Sequence, residues 1–325
     1  MKPHHFGLAA FAALLTVVTL PARAAEIVKF LLPTVVELPS FAPWVLAKSE
    51  GYYAAEGLDV QFLVGRGGVD VATQVGAGNA DMGEATGDTT LFVRGNGVPV
   101  KTVAVLGGGG LMQLVVREDS GITDLKSLRG KKVAVIAYTD STYYILLGML
   151  ASVGLSKNDI EAQAVGIAAV SQMVSNNTVP AGACNPECVT TIQDNEPKVK
   201  VYVSSDYTAS MAQAMVASDK VIKERPDVIR KVERAVYRAW TEMRNDPAKM
   251  ARTYVAAVPS HTGQEAYLAR VFANYEKWVY SGKQTKTWAM DPERLGKLED
   301  LYLSQGVIRA KVPLDELYTN DFLPQ

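Results

Sequence analysis

Short apolar runs rich in β-branched residues alternate with helical patterns along most of this chain. "EIVKFLL" (residues 26–32) precedes a helical pattern and then "LDVQFLV" (58–64), and the scheme continues to "VKTVAVL" (100–106). Strands separated by helices of this length are typical of βαβ units with parallel strands. The alternation therefore predicts an α/β protein whose mostly parallel sheets are flanked by helices.

Four consecutive glycines, residues 107–110, interrupt this pattern, which then starts again with "LMQLVVRED". Their spacing matches neither a dinucleotide-binding fingerprint nor a P-loop, because Met112 stands where a further glycine is needed and no Gly-Lys-Ser/Thr follows. Glycine offers the backbone unusual freedom, so we interpret the run as a flexible crossing between two domains. "MAQAMVASDKVI" (211–222) fits the return crossing.

The first 24 residues have the pattern of a secretory leader. Lys2 supplies a positive start, "FGLAAFAALLTVVTL" (6–20) is apolar, and "ARA" places small residues at the two positions that signal peptidase recognises. The alternative, a short buried helix, fits these flanks poorly. We predict cleavage after Ala24 and export of the mature chain.

The charge balance and the histidine count exclude several classes of function. Of 33 basic and 34 acidic residues, Lys2 and Arg23 leave with the leader, so 31 face 34 and the mature net charge is −3. This balance does not indicate binding to nucleic acid or to an anionic membrane. Only His261 remains in the mature chain, which is a poor supply for zinc sites, Ser-His-Asp triads or Cys-His pairs. We expect no cofactor, no metal and no catalysis.

Ligands of open α/β sheets bind beyond the carboxyl ends of the strands, where helices begin. This rule selects five loops, at residues 38–43, 65–68, 86–88, 138–143 and 183–187, whose helix N-termini would suit an anion or a strongly polar group. The predicted ligand-binding residues in and next to these loops are Pro39, Ser40, Phe41, Trp44, Arg66, Gly67, Gly68, Thr86, Gly87, Asp88, Tyr138, Asp140, Ser141, Thr142, Tyr143, Asn185 and Glu187.

Several of these residues have structural alternatives that the sequence leaves open. Arg66, at the tip of "GRGG", could grip a carboxylate, sulfonate or phosphate, or it could be a solvated loop residue. Trp44, and the tyrosines of the 138–143 loop, could line an aromatic ligand or belong to the core. Asp88 and Asp140 could simply cap helices, and Ser40 is a further plausible N-cap.

The two cysteines lie four residues apart in "ACNPEC" (183–188). A metal site or a catalytic nucleophile is poorly supported there, because no histidine or further cysteine is nearby. A Cys184–Cys188 disulfide is possible in an exported protein, but one helical turn is borderline for its geometry, which favours two small buried thiols. Asn185 at the N-cap and Pro186 at the first helical position predict a helix start.

Four stretches of the sequence resemble a known family and follow one another in the family's order. They are "PWVLAKSEGYYAAEGLDVQF" (43–62), "GNADMGEATGD" (78–88), "REDSGITDLKSLRGKKVAV" (117–135) and "ERPDVIRKV" (224–232). Together they are similar to the periplasmic solute-binding proteins of ABC importers of the nitrate/sulfonate/taurine type, a group that includes thiamine-pyrimidine-precursor binding proteins.

The resemblance implies a two-lobed, type II-like periplasmic binding protein that closes on its ligand. The first lobe would comprise residues 25–106 and 214–325, the second lobe residues 111–206, with crossings near 107–110 and 207–213. It also implies a monomer in the periplasm whose partners are a small-molecule ligand and an inner-membrane permease with its ATPase.

The fold alone does not determine which ligand is bound or which role the protein has. Arg66 and the helix N-termini predict a small organic anion such as a sulfonate or carboxylate, whereas Glu187 would hold an amine or a pyrimidine-type N–H. Alternatives are a binding protein for a pyrimidine precursor or an aromatic acid, a sensor-input protein, and a synthase-like enzyme. Many relatives carry an aromatic residue next to the element that is "ACNPEC" here, so we expect a smaller, more polar wall and a different ligand.

Overall fold

The computed structural model describes residues 24–196 and 198–324, which contain ten β-strands in two sheets. The predicted leader, residues 1–24, lies outside the described residues except for Ala24. The strands are β1 (Glu26–Leu32), β2 (Leu58–Val64), β3 (Met82–Thr86), β4 (Val100–Val105), β5 (Gln113–Arg117), β6 (Lys132–Val135), β7 (Glu161–Ala164), β8 (Ala181–Cys184), β9 (Val199–Val203) and β10 (Gln213–Ser218).

The two sheets share one arrangement. The first has the order β2-β1-β3-β10-β4 and the second β7-β6-β8-β5-β9. In each sheet one strand runs against the others, β10 in the first and β5 in the second. Each of these is the first strand after the chain arrives from the other sheet. The predicted two-lobed α/β fold with mostly parallel sheets is therefore confirmed, with one reversed strand in each sheet.

Thirteen α-helices flank the sheets in the described part of the chain. They are α1 (Ala42–Ser49), α2 (Tyr52–Ala55), α3 (Gly68–Gly76), α4 (Thr90–Val93), α5 (Ser141–Ser152), α6 (Ile167–Ser175), α7 (Pro186–Asn195), α8 (Asp219–Glu224), α9 (Pro226–Asn245), α10 (Pro247–Ala257), α11 (Glu265–Tyr275), α12 (Pro292–Ser304) and α13 (Leu314–Leu317). None of these helices is long and apolar enough to span a bilayer.

The Asp-Pro pairs at residues 246–247 and 291–292 predict helix starts, which the structure confirms, whereas the N-cap predicted at Ser40 is wrong. Asp246 and Asp291 cap α10 and α12, each accepting hydrogen bonds from backbone N–H groups of the first turn. Ser40 is not an N-cap, because Pro39 already begins a 3-10 turn and Ser40 lies inside it. Strand β7 carries no apolar run ("EAQA"), because it is an exposed edge strand, and sequence reasoning missed it. It also missed β10, since residues 211–222 were interpreted as the return crossing, whereas residues 213–218 form a strand between β3 and β4.

The carboxy-terminal helices complete the core of the first sheet. Helices α9 and α10 pack on α1, where Trp44 is fully buried. The buried face of α9 repeats every three or four residues, as an amphipathic helix requires. Its apolar members are Val228, Ile229, Val232, Ala235, Val236, Ala239, Trp240 and Met243.

The glycine run between the lobes is tightly packed, which corrects its interpretation as a flexible crossing. A Cβ atom at Gly107 would overlap the carbonyl oxygen of Val279, and one at Gly109 would overlap that of Trp278. A Cβ atom at Gly110 would meet the hydroxyl groups of Ser204 and Ser210. Glycine is needed here because backbone segments approach each other closely, not because the chain must bend freely.

Arg294, in the first turn of α12, joins both crossings. Its guanidinium donates hydrogen bonds to the carbonyl oxygens of Gly108 (2.8 Å) and Gly109 (3.3 Å) in the first crossing, and to that of Ser210 in the return crossing. Burial lowers the pKa of the Arg294 guanidinium. One side chain thus connects the two segments that pass between the sheets.

Cys184 and Cys188 form a disulfide, so the favoured interpretation as two buried thiols is wrong. Cys184 ends β8 and Cys188 lies in the first turn of α7, and the sharp strand-to-helix turn brings their Cα atoms to 5.8 Å, within the range that a disulfide needs. Helix α7 does begin at Pro186, with Asn185 at the N-cap position. The Asn185 side chain, however, makes no capping hydrogen bond.

We expect Arg294→Lys to destabilise the protein. A lysine ammonium cannot reach three carbonyl groups in the planar pattern that the guanidinium serves, and unsatisfied buried carbonyls cost about 1–3 kcal/mol each. The melting temperature should fall by at least about 3 °C. The matched control is Arg309→Lys, since Arg309 is exposed and forms no ion pair among the described residues. Equal melting temperatures for the two variants would contradict the role given to Arg294.

We also expect Glu233→Gln to stabilise the protein at neutral pH. Glu233 lies fully buried in α9, neither carboxyl oxygen has a hydrogen-bond partner in the described part of the chain, and burial raises the pKa of this carboxyl well above its ordinary value. Because the folded state favours the protonated form, its contribution is largest at low pH and is lost as the pH rises from the unfolded-state pKa toward the folded-state pKa.

Denaturant unfolding at pH 5 and pH 8 measures this effect. The free energy of unfolding of Glu233→Gln should exceed that of the wild type more at pH 8 than at pH 5. Glu224→Gln, at an exposed site in α8 without an ion pair among the described residues, is the control and should change little at either pH. A destabilised Glu233→Gln at pH 8 would refute the prediction.

Candidate ligand-binding site

A cavity of about 410 Å³ lies between the two sheets, at the carboxyl ends of their parallel strands. Seven of the predicted ligand-binding residues line it: Ser40, Phe41, Arg66, Gly67, Asp140, Thr142 and Asn185. Leu38, Gly65 and Thr139 also line it and lie in the selected loops, although they were not named as ligand-binding residues. Sequence reasoning did not select the remaining lining residues, which are Pro33, Thr34, Glu84, Leu111, Ile136, Ala137, Gly166, Ile167 and Gln213. Both lobes therefore contribute to the wall.

Four helices begin at this cavity. They are α3, α5, α6 and α7, and the residues just before their first turns (Gly67, Asp140, Gly166 and Asn185) all line it. Unsatisfied N–H groups and the positive end of the helix dipole are available at such positions. Asp140 satisfies part of α5 itself, since its carboxylate accepts a 2.9 Å hydrogen bond from the Thr142 N–H.

Arg66 lies on the loop between β2 and α3 and is exposed at the edge of the cavity. Its backbone N–H donates to the Asp70 carboxylate at 2.9 Å, which holds the loop against the first turn of α3. Its guanidinium forms no ion pair with any residue that the structure describes. Arg66 is therefore available to an acidic group of a ligand.

Glu84 is a buried acid that the sequence did not single out. It lies on β3 with 2% of its surface exposed, next to Gln213 of the neighbouring strand β10. Burial raises the pKa of the Glu84 carboxyl well above its ordinary value, the charges of Asp140 and Glu187 add to this, and a hydrogen bond with Gln213 opposes it. One sequence feature could have revealed Glu84, namely a charged residue within a short strand whose other residues suit a buried position.

Asn185 presents an unpaired acceptor. Its side-chain N–H group donates to Oε1 of Glu187 at 2.8 Å, while its Oδ1 is buried and has no partner among the described residues. The residue is 7% exposed and lines the cavity. In this orientation the amide N–H group serves the carboxyl group of Glu187, and Oδ1 is left unpaired.

Glu187 faces an adjoining groove rather than the cavity itself. Its carboxylate accepts hydrogen bonds from Asn185 and from the Tyr275 hydroxyl of α11 at 2.6 Å, which joins the second lobe to the carboxy-terminal helices. Burial raises the pKa of the Glu187 carboxyl, and the hydrogen bond from Tyr275 opposes this. Its oxygens thus already have protein partners.

The adjoining groove has a volume of about 500 Å³ and shares Leu38 and Ile167 with the cavity. Pro39, Glu187 and His261 also line it. The His261 ring contacts the Glu37 carbonyl oxygen at 2.8 Å and the Gln264 side chain at 3.0 Å. The only histidine outside the leader therefore lies off the main cavity.

The other predicted residues lie outside the lining of the cavity. Trp44 is in the core, and Tyr143 is nearly buried against Tyr138 with 5.3 Å between ring centroids. Tyr138 is exposed and donates to the Ala162 carbonyl. Gly68 and Ser141 begin α3 and α5 and face each other between the lobes.

The loop at residues 86–88 points toward the carboxy-terminal helices. Asp88 does not cap a helix; its carboxylate accepts a 2.7 Å hydrogen bond from the Tyr302 hydroxyl of α12. The Thr86 hydroxyl bonds that of Thr89, and the Gly87 N–H donates to the Ala212 carbonyl. This loop therefore supports the return crossing.

The described residues hold no group of three or more His, Cys, Asp or Glu side chains arranged to bind a metal ion. The three acids near the cavity have different surroundings. Asp140 caps α5, Glu187 accepts a hydrogen bond from Tyr275, and Glu84 lies on β3.

Comparison with known proteins places these features in context. The riboflavin-binding protein RibY of Chloroflexus aurantiacus is 24% identical over 290 residues, which cover 87% of this chain and 82% of that protein. The 4-amino-5-hydroxymethyl-2-methylpyrimidine phosphate synthase of Aspergillus parasiticus is 30% identical over 236 residues, or 68% of each chain.

Solved structures show the same fold. The alkanesulfonate-binding protein SsuA of Xanthomonas axonopodis pv. citri, bound to MOPS, superposes with a TM-score of 0.71 at 17% identity, covering 91% of this chain and all of that one. The aliphatic sulphonate binding protein SsuA of Escherichia coli gives a TM-score of 0.67 at 16% identity, covering 92% and 94%. Both superpositions cover more than nine-tenths of this chain, so this chain shares their fold.

The family model described as "NMT1/THI5 like" matches residues 38–250. This range includes every residue that lines the cavity except Pro33 and Thr34. This match covers more than half of the chain and agrees with the fold, with the cavity between the lobes and with the sequence resemblance. The protein therefore belongs to the NMT1/THI5-like family.

Proposed function

We propose that this protein is the substrate-binding component of an ABC-type importer. It captures a small organic molecule in the cavity between its lobes and delivers it to a membrane permease driven by an ATPase. The observation that carries the proposal is the cavity itself, which both lobes enclose and which four helix N-termini and Arg66 surround. The solute-binding names of RibY and SsuA support this role.

An acidic group of the ligand binds Arg66 in this proposal. The guanidinium can form two parallel hydrogen bonds to a carboxylate or sulfonate, and the start of α3 beside it adds N–H donors. Contacts made from both lobes at once favour the closed state, so ligand binding and closure are coupled. The predicted leader fits this role, with cleavage after Ala24 and a monomeric mature protein in the periplasm.

A synthase is the competing function, because the fungal relatives carry that name. The side chains in the cavity do not favour catalysis. His261 lies in the adjoining groove and is engaged by Glu37 and Gln264, and both cysteines are joined in a disulfide. A histidine base and a free thiol are therefore not among the residues that line the cavity.

Arg66→Ala should weaken binding of an acidic ligand by about tenfold or more, because a charge-assisted pair of hydrogen bonds is lost. Thermal shift with MOPS, other sulfonates, carboxylates and riboflavin identifies the best ligand, and calorimetry then measures its dissociation constant. Arg252→Ala, at an exposed arginine of α10 without an ion pair in the described part of the chain, is the matched control. Unchanged affinity in Arg66→Ala would remove Arg66 from the site.

The bound ligand should be recovered intact. The purified protein is incubated with the best ligand, and the mixture and the intact protein are analysed by mass spectrometry over several hours. We expect no product and no added mass on the protein. A product, or a covalent adduct on the chain, would favour the synthase alternative over transport.

A further inference from the structure

Helices α7 and α11 meet across the two lobes. The chain passes between the sheets at the two crossings, so α7, which follows β8, and α11, in the carboxy-terminal part, are joined to each other by side chains. Helix α7 packs on α6 beside the second sheet, whereas α11 packs on α10 and through it on α1 beside the first sheet. A motion that separates the lobes at this point must therefore break the contact between these two helices.

One face of each helix supplies the polar part of this contact. The pairs are Tyr275 with Glu187, where the hydroxyl donates to the carboxylate at 2.6 Å, Asn274 with Thr190, where the amide donates to the hydroxyl at 2.9 Å, and Tyr267 with Thr191, whose hydroxyl oxygens are 2.9 Å apart. On each helix these residues follow the three- and four-residue spacing that places side chains on a single face. The contact therefore uses a continuous stripe of both helices.

An apolar core also continues from one helix to the other. One cluster of buried side chains includes residues of both, namely Cys188, Val189 and Ile192 of α7 and Leu268, Val271 and Phe272 of α11. The disulfide from Cys188 to Cys184 ties the first turn of α7 to the end of β8. At the outer edge, Arg270 and Asp194 form an ion pair, which is exposed and contributes less than the buried contacts. Separating the helices would expose apolar surface as well as the buried polar partners.

We propose that this contact, the α7–α11 clasp, sets the affinity and the release rate of whatever ligand the cavity holds, because it holds the two lobes together. The inference rests on the proposed function. Thr190, Asn274 and Tyr275 do not line the cavity, so they act as positioning residues through the arrangement of the lobes.

The clasp acts through the balance between open and closed molecules. A ligand that contacts both lobes binds the closed form, so its apparent dissociation constant rises with the ratio of open to closed molecules. That ratio is a property of the protein and is the same for each ligand. Weakening the clasp should therefore weaken the binding of chemically different ligands by one common factor.

The double variant Tyr267→Phe/Asn274→Ala tests this inference on the full mature protein. It removes two hydrogen bonds of the clasp and leaves the lining of the cavity unchanged. Calorimetry with MOPS, benzoate and riboflavin gives the dissociation constants, which should rise about tenfold for each probe that the wild type binds. The dissociation rate should rise by a similar factor, because the ligand leaves when the lobes separate.

Tyr52→Phe/Asn79→Ala is the matched control. It removes two side-chain hydrogen bonds within the first lobe, from Tyr52 to Glu242 and from Asn79 to Gln74, and none of these residues lines the cavity. The control should keep the wild-type dissociation constants. If the clasp variant does not fold, Tyr267→Phe alone, compared with Tyr52→Phe, should raise the dissociation constants about threefold.

Small-angle X-ray scattering examines the lobes without a ligand. The radius of gyration of the clasp variant should exceed that of the wild type and of the control, because a larger share of its molecules is open. Adding the tightest of the three probes should return it to the wild-type value.

The outcomes separate this inference from the proposed function. Wild-type affinities in the clasp variant overturn the inference and leave solute binding in place, because α7 and α11 then stay together while ligands enter and leave. An unequal loss among the probes also overturns it, since the substituted side chains then act on particular ligands. Failure of the wild type to bind any probe counts against the proposed function, and the scattering comparison alone then decides whether the clasp holds the lobes together.

Discussion

The Arg294 guanidinium is the interaction on which the arrangement of the two lobes most depends. It bonds the carbonyl groups of Gly108 and Gly109 in one crossing and of Ser210 in the other, while the glycines press against the backbone at residues 278–282. The cavity lies between the two sheets, so its width depends on how these crossings hold the sheets together. A side chain of α12, far along the chain from the loops that line the cavity, thus helps to fix the arrangement of the two lobes.

The cavity brings positive and negative groups together. Arg66 and the N-termini of α3, α5, α6 and α7 offer positive charge or free N–H groups, whereas Glu84 and Asp140 are acids and Oδ1 of Asn185 is an unpaired acceptor. Glu187 is not part of this set, because Tyr275 and Asn185 bond its oxygens and make it part of a contact between α7 and α11.

Two features show why local patterns mislead when distant segments meet. The glycine run suggests flexibility, but Gly107, Gly108 and Gly109 are required by the backbone at residues 278–283, far along the chain. The cysteine pair suggested two thiols from helical spacing alone, but Cys184 ends a strand and the turn at Asn185 brings it to Cys188. In both cases the missing information was the position of a neighbour and not the preference of the residue itself.

The sequence by itself determined the α/β class, eight of the ten strands, the starts of α7, α10 and α12, and the loops from which ten of the cavity residues come. These follow from periodicity, caps and turns, which act over a few residues. Only the tertiary structure decided which loop residues converge, that Trp44 and Asp88 face away from the cavity, and that Glu84 faces into it. The reason is that facing depends on the register of β3 against β10 and on the placement of one lobe over the other, and both are set by contacts between residues far apart in the chain.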